Sequence, residues 1–478
     1  MEKLEGQLGV ILRQGDVVAL YRPQSMELFR LETESAEPLD RIAQAIGLFD
    51  VGAETESEDA AIDEGIRSRP ALLPFLLEPE QLTRPLRPSL GRLTINISNA
   101  CNLWCSYCYA DHGHYHAPKS FMPVERAETI VERIVEQYSN VESVQFFGGE
   151  PLLNLHAIEA SCMAFVRAAE KGLILRLPKF VATTNGTVST PQALALLKKW
   201  RIDLTISWDG PKDVHDTERP FVGRGSSFDK LQTSLERYRR NNIAFGIECT
   251  YGRHQYERGI SVVDLLNYFH EQTDQRVFHI APTFLPSTHK NSERKIFRGE
   301  AAKTNSERRL DEERIVELFR EAASYSVPNL LSGVGPVLEF AERIVHQIVK
   351  RQQSKSFCPA FFTQMSIAAD GSVFPCFMFM GDQDFNMGNI LTDRFPSAKS
   401  RSLLARYFNE FGTTIAGTRA WYSKLSGGCV AGNYISSGEL SARASGPFFE
   451  AMIEECLIAL ATQQDVSSKS TTTEGSLA

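Results

Sequence analysis

Six strand-like runs separated by amphipathic segments follow one another between Arg92 and about Phe284, and this beat restricts the fold more than any other feature of the chain. The runs are LTINIS (Leu93 to Ser98), SVQFF (Ser143 to Phe147), KFVATT (Lys179 to Thr184), DLTIS (Asp203 to Ser207), AFGIECT (Ala244 to Thr250) and VFHIA (Val277 to Ala281). The segment opening at Pro123, a favourable first-turn residue, repeats Ala127, Ile130, Val131, Ile134 and Tyr138 on one helical face. Strands alternating with helices of this length imply a parallel sheet with helices outside. Six units are fewer than the eight of a closed barrel, so the fold class is α/β, an open partial (β/α)6 barrel over residues 91–285.

The flanks divide by composition. Residues 1–52 carry strand alternation from Leu8 to Leu31 and helical spacing through Leu39, Ile42, Ala45 and Ile46, a small α+β module. Residues 53–90 form a linker, acidic and small-residue-rich over its first part. The bridging region 286–352 begins with crowded cations, among them Lys290, Arg294, Lys295 and Arg298, as a mobile bridge or lid would. A second cysteine-bearing region covers 353–460, and the serine- and threonine-rich tail 461–478 is expected to be disordered.

A net charge of -8 argues against nucleic acid as a partner, because phosphate binding needs a concentrated basic face. No window reaches the roughly 18 apolar residues of a spanning helix, and residues 1–25 hold no apolar signal core, so a cytoplasmic protein without a membrane partner is expected. Nine cysteines, an odd number unevenly placed, then point to metal ligation rather than to disulfides.

Three of those thiols, Cys101, Cys105 and Cys108, stand in CNLWCSYCY directly after the first barrel strand. They supply three corners of an iron-sulfur cube and leave the fourth iron open for a ligand. A zinc site would need a fourth closing donor, for which His112, His114 or His116 in DHGHYH stand downstream. After the second strand come Gly148, Gly149 and Glu150, two glycines that let a ligand approach the backbone and a carboxylate able to accept from an ammonium group. Thr184-Asn185-Gly186 follows the third strand, and Ser207-Trp208-Asp209-Gly210, continuing to Arg219, the fourth. A serine hydroxyl and an arginine there suit ribose hydroxyls and a carboxylate. These loops converge at the C-terminal mouth of a parallel barrel, where five of them would supply one site. Cys162 and Cys249 read as core residues.

The CxxxCxxC loop followed by GGEP resembles the radical S-adenosylmethionine enzymes. The resemblance implies a [4Fe-4S] cluster on Cys101, Cys105 and Cys108, and S-adenosylmethionine held by Tyr107, Gly148, Gly149, Glu150, Ser207 and Arg219. The GGEP segment would meet the methionine amino group, and Tyr107 would stand beside the adenine. Farther on, CPAFFTQMSIAADGSVFPC, with a hairpin signal at Asp370-Gly371, resembles the SPASM extension of peptide-modifying members. A full extension carries two auxiliary clusters. Here only Cys358, Cys376, Cys429 and Cys456 remain, and Leu425 stands where a cysteine is expected, so the resemblance implies one auxiliary cluster. Cys456 would be its replacement fourth ligand or simply buried.

Sulfatase-maturing members place an aspartate after the cysteine matching Cys376, where this chain has Phe377. Within the group the chain most resembles the quinohemoprotein amine dehydrogenase maturation proteins. That implies thioether links from cysteine sulfur to Asp or Glu methylenes in a small cysteine-bearing subunit, with a flavodoxin- or ferredoxin-like electron donor. A sulfatase-type peptide oxidation and a non-catalytic iron-sulfur or zinc scaffold are the alternatives.

Overall fold

The computed structural model describes residues 1–6, 9–31, 37–45, 87–115, 117–223, 225–283, 312–352, 359–361, 363–393, 397–405, 407, 421–422, 425, 429–437, 440 and 446–470. The expected linker through residue 86, the cationic start of the bridging region to residue 311, His116 and Cys358 lie outside them.

The barrel strands are β5 (Ser89–Ser98), β6 (Asn140–Gly148), β7 (Lys179–Thr184), β8 (Asp203–Ser207), β9 (Phe245–Tyr251) and β10 (Val277–Pro282). All six expected runs are strands, each parallel to the next in sequence order. The helices between them are α2 (Val124–Gln137), α3 (Leu155–Glu170), α4 (Pro191–Trp200), α5 (Lys212–Glu218), α6 (Ser227–Arg240), α7 (Arg253–Glu257) and α8 (Val262–Thr273), α1 being Leu39–Ala45 in the N-terminal module. Pro123 precedes the first turn of α2, whose buried face is Ala127, Ile130, Val131, Ile134 and Val135, with Tyr138 buried at its end. That face reproduces the spacing read from the sequence.

The sheet does not stop at six strands. After α9 (Glu312–Ser332), β11 (Val337–Leu338) pairs parallel with β10 and leads into α10 (Glu339–Val349). On the opposite edge β12 (Gln364–Ile367) pairs parallel with β5, and β13 (Val373–Phe374) returns antiparallel through the Asp370-Gly371 turn, where Gly371 has φ 90°. Both barrel edges thus carry short added strands, which pair part of each edge strand and leave only short end strands. The hairpin is legible in the sequence. Its docking edge is not, because four residues carry too little pattern to select a partner.

The N-terminal module is a sheet of β1 (Glu2–Gly6), β2 (Gly9–Gln14), β3 (Val17–Arg22) and β4 (Glu27–Leu31) in meander order. Its faces divide by strand parity. Ile11, Val18 and Leu20 pack with Leu39, Ile42 and Ala43 of α1, whereas Val10, Leu12, Ala19 and Tyr21 join the main core. On that second face lies α12 (Gly446–Ser470), the long helix after α11 (Val430–Ser437). The helix runs to Ser470, well past residue 461, where composition suggested that order ends. No helix among the described residues is long and apolar enough to cross a membrane.

Candidate active site

A cavity of about 450 Å³ opens at the C-terminal ends of the barrel strands and is lined by Cys101, Cys105 and Cys108. The loop that carries them is pinned from two sides. Trp104 N–H donates to the Pro220 carbonyl (2.9 Å), Ser106 N–H to that of Glu218 (2.9 Å) and Val222 N–H to that of Asn102 (3.0 Å). Asn185 Nδ2 donates to Asn102 Oδ1 (2.8 Å), and Asn102 Nδ2 to Thr187 Oγ1 (2.8 Å), which joins the third barrel loop to the cysteine loop.

Backbone N–H groups aim at the sulfurs. Leu103 N–H donates to Cys101 Sγ (3.4 Å), and Asn185 Nδ2 approaches the same atom (3.7 Å). Cys108 receives the N–H groups of Ala110, His112 and Gly113. The DHGHY segment explains how, since Asp111, His112, Gly113 and Tyr115 all have positive φ, and such left-handed turns present N–H groups to a concave side. His112 is spent on a stack with Trp104 (3.5 Å between centroids), and His116 lies outside the described residues.

Burial pushes all three thiols up, Cys101 to about 11, while the Arg219 guanidinium opposes the shift at Cys105. Thiols so placed need bound positive charge to ionise, and hydrogen bonds to sulfur are a known means of holding and tuning a cluster. The thiolates of a cube bind separate irons, whereas closed zinc draws its donors to one point. Three cysteines on one cavity wall, two of them accepting backbone N–H groups at sulfur, are a donor set that fits an iron-sulfur cluster.

Gly148 and Gly149 line the cavity with backbone, and a Cβ on Gly149 would collide with the Ala100 carbonyl. Glu150 departs from expectation. Its carboxylate is fully buried, is not among the lining residues, and accepts from Leu152 N–H (2.9 Å), Thr184 Oγ1 (2.8 Å) and Asn185 N–H (2.8 Å). An ammonium group in the cavity would meet the backbone of this turn rather than that side chain. Burial raises Glu150 to about 7 against the pull of those donors.

Tyr107, Ser207 and Arg219 all line the cavity. Asp209, fully buried, organises two of them: it accepts from Tyr107 Oη and from Arg219 Nε (2.8 Å), and also from Thr250 N–H (3.1 Å). The guanidinium lies 5.3 Å from the Tyr107 ring centre. One edge of Arg219 is thus committed to Asp209. Ser207 Oγ donates to Glu248 Oε1 (3.1 Å).

Sequence reasoning missed Glu248 on β9, His279 on β10, and Glu339 and Arg343 on α10, all of which line the cavity. The signal for the first two was present, a titratable residue inside an otherwise apolar strand run. The other two required knowledge of where α10 docks.

Of the second cysteine set, Cys376 is buried and its sulfur accepts from Met378 N–H (3.5 Å); Cys429 lines the cavity and accepts from Gly432 N–H (3.3 Å). Phe377 also lines the cavity, 4.6 Å from the Phe147 ring and 6.3 Å from Tyr109. Leu425 is buried, and Cys456 lies fully buried in α12, its thiol pushed up by desolvation. Cys162 and Cys249 are buried core residues, as read.

Comparison with known proteins agrees with this geometry. Residues 95–278 match the radical SAM superfamily, and residues 358–412 match the SPASM iron-sulfur cluster-binding domain. The chain is 30% identical over 165 residues to the radical SAM cyclopropyl synthase TigE of Paramaledivibacter caminithermalis, covering 31% of this chain and 33% of the relative. It is 27% identical to a cysteine-type anaerobic sulfatase-maturating enzyme of Clostridium novyi, covering 41% of this chain and 52% of the relative. The chain thus spans a third and about half of these relatives' lengths. Its fold is similar to that of native anSMEcpe with bound AdoMet and Cp18Cys peptide (TM-score 0.62, 21% identity, 79% of this chain and 99% of that one). It is also similar to that of Streptococcus suis SuiB bound to the precursor peptide SuiA (TM-score 0.51, 17% identity, 92% and 96%). The first domain implies a [4Fe-4S] cluster and S-adenosylmethionine, and the second implies auxiliary iron-sulfur clusters. With three cysteines at the mouth of a parallel barrel, two of them hydrogen-bonded at sulfur, and a cysteine-bearing hairpin on its edge, the chain carries a radical SAM domain followed by a SPASM domain.

Proposed function

We propose that this protein is a peptide maturase that joins cysteine sulfur to an aspartate or glutamate side-chain methylene in a small subunit, that of quinohemoprotein amine dehydrogenase. S-adenosylmethionine, held with the cluster of Cys101, Cys105 and Cys108, would supply the hydrogen-abstracting radical. Tyr107, Ser207, Arg219 and the backbone at Gly148 and Gly149 would hold it. Cys358, Cys376 and Cys429 would hold the auxiliary cluster, with Cys456 as fourth ligand, or with one iron left for a substrate thiolate. A flavodoxin- or ferredoxin-like protein would deliver the electron. Phe377, Phe448 and Met452 make part of the cavity wall apolar, which keeps water from a reactive carbon.

The observation that carries the thioether reading is Phe377. Where sulfatase-maturing enzymes place an aspartate, the cavity wall beside Cys376 here is aromatic, the Phe377 ring tilted against that of Phe147 with 4.6 Å between centroids. Formylglycine-type oxidation is the second reading, favoured by the similarity to sulfatase-maturating relatives. Anaerobically reconstituted, reduced enzyme should release 5'-deoxyadenosine, and the Cys101→Ala, Cys105→Ala, Cys108→Ala triple variant should release none; equal release would sink the enzyme reading. Mass spectrometry of the small subunit after co-expression separates the two peptide readings. A thioether removes one S–H and one C–H hydrogen per link, whereas oxidation to an aldehyde removes the cysteine sulfur.

A further inference from the structure

The cavity wall formed by β8, β9, β10 and α10 carries a row of polar side chains that the cysteine loop does not use. Ser207, Glu248 and His279 stand abreast on successive strands, because the register pairs Ser207 with Glu248 and Glu248 with His279. Across from the last strand, His279 Nδ1 lies 2.7 Å from Glu339 Oε2, and Glu339 Oε1 accepts from Arg343 Nη2 (2.6 Å). His279 lines the cavity together with both α10 residues, and its side chain is 53% exposed.

The charged groups facing the ring are Glu248 from β9 and Glu339 and Arg343 from α10. Among the described residues, the lining side chains from α9 and α12 are apolar: Phe319, Phe448, Phe449 and Met452. A carboxylate on either side of the ring makes this a poor seat for an anion. It suits a group that gives up a proton. A histidine that donates Nδ1–H to a carboxylate is fixed in one tautomer, with Nε2 left as the acceptor.

We propose that His279 is the cavity's proton acceptor, oriented by Glu339, and that its Nε2 takes the proton of the substrate cysteine thiol before that sulfur bonds to carbon. In this step one S–H bond breaks, one N–H bond forms and no electron is exchanged. The step rests on the thioether reading. Burial alone would lower the histidine, but the hydrogen bond and charge of Glu339, helped by Glu248, raise it. Glu339, held down to about 2 by His279 and Arg343, stays ionised and serves as a positioning residue. A raised imidazole is the stronger base, active above its own pKa, so the product rate should climb with pH through it.

The test uses full-chain, reconstituted, reduced enzyme with S-adenosylmethionine and the small subunit of quinohemoprotein amine dehydrogenase. His279→Asn should release 5'-deoxyadenosine within about twofold of wild type while crosslinked subunit falls about 10²- to 10⁴-fold. Glu339→Gln should keep partial activity, with the acid limb of its pH profile moved to lower pH. Crosslinking by His279→Asn at the wild-type rate, or an acid limb unmoved in Glu339→Gln, would overturn the assignment. Carbon-13 histidine NMR on the full chain gives a readout that needs no substrate. The ring signal missing from His279→Asn should titrate above the ordinary value of about 6.5 and drop in Glu339→Gln; titration at or below it in wild type overturns the dyad. If wild type leaves the subunit's mass unchanged, the thioether reading has failed, and the comparison is repeated on the Cp18Cys peptide, whose cysteine would surrender the same thiol proton.

Discussion

Glu150 shows how one carboxylate can sit beside a site without entering it. Three donors satisfy its oxygens, yet full burial still raises it to about 7. A carboxyl raised in the folded state binds its proton more tightly there than in the unfolded chain. Its contribution to stability is fully present below the unfolded value of 4.5 and is lost as pH rises through about 7. The span is worth about 3 kcal/mol. Glu150→Gln places an amide N–H₂ against a donor and should cost about 1–3 kcal/mol. Its deficit in thermal midpoint relative to wild type should narrow between about pH 5 and about pH 8, because the variant has no charge to bury. A deficit constant across that range would show that Glu150 is ionised throughout. The sequence placed this residue in the right turn, but the direction of its side chain depends on Thr184 and Asn185, which come from another strand end.

At the scale of elements, the cysteine loop is held by close approach as much as by hydrogen bonds. Gly149 lies against the Ala100 carbonyl, immediately before Cys101. Gly149→Ala should therefore push the loop outward, destabilise the fold by about 1–3 kcal/mol as overpacking does, and lower the iron bound per chain after reconstitution. Gly246→Ala, in β9 where an added methyl meets nothing within 4 Å, is the control and should leave iron content unchanged. Equal iron in both variants would remove the steric account of the loop. The same scale explains which elements could be read beforehand. Strands β5 to β10 carry their own hydrophobic pattern, whereas β11 has two residues and β12 four, and their place at the sheet edges is chosen by tertiary packing.

Over the whole molecule, the N-terminal sheet and the C-terminal helix are one structural unit. Lys3 lies 2.5 Å from Glu450 and 3.2 Å from Glu454, and Arg320 of α9 reaches Glu454 (3.4 Å) and Glu455 (3.3 Å). Beneath these pairs, Tyr21 of β3 and the apolar face of α12 share the main core. Arg320→Met would strip Glu455 of its cation while leaving Lys3 for Glu454. Because Glu455 is nearly buried, the loss should be about 2 kcal/mol, below the ~3–5 kcal/mol of a fully buried pair because Arg320 is partly exposed. Chemical denaturation measures it, and a midpoint unchanged from wild type would mean that the network contributes nothing. Arg320→Lys should recover part of the loss by restoring the charge without the fork.

The sequence by itself determined the repeating unit, the three-cysteine loop and the strand ends on which the site is built, because strand period, cysteine spacing and turn glycines are local properties of a chain. It did not determine which side chains enter the cavity. Glu150 turns inward, Asp209 binds Arg219 and Tyr107, and His279 meets Glu339 across 60 positions of chain. Those outcomes depend on which elements pack together, and a buried polar group takes whichever partner the packing brings to it.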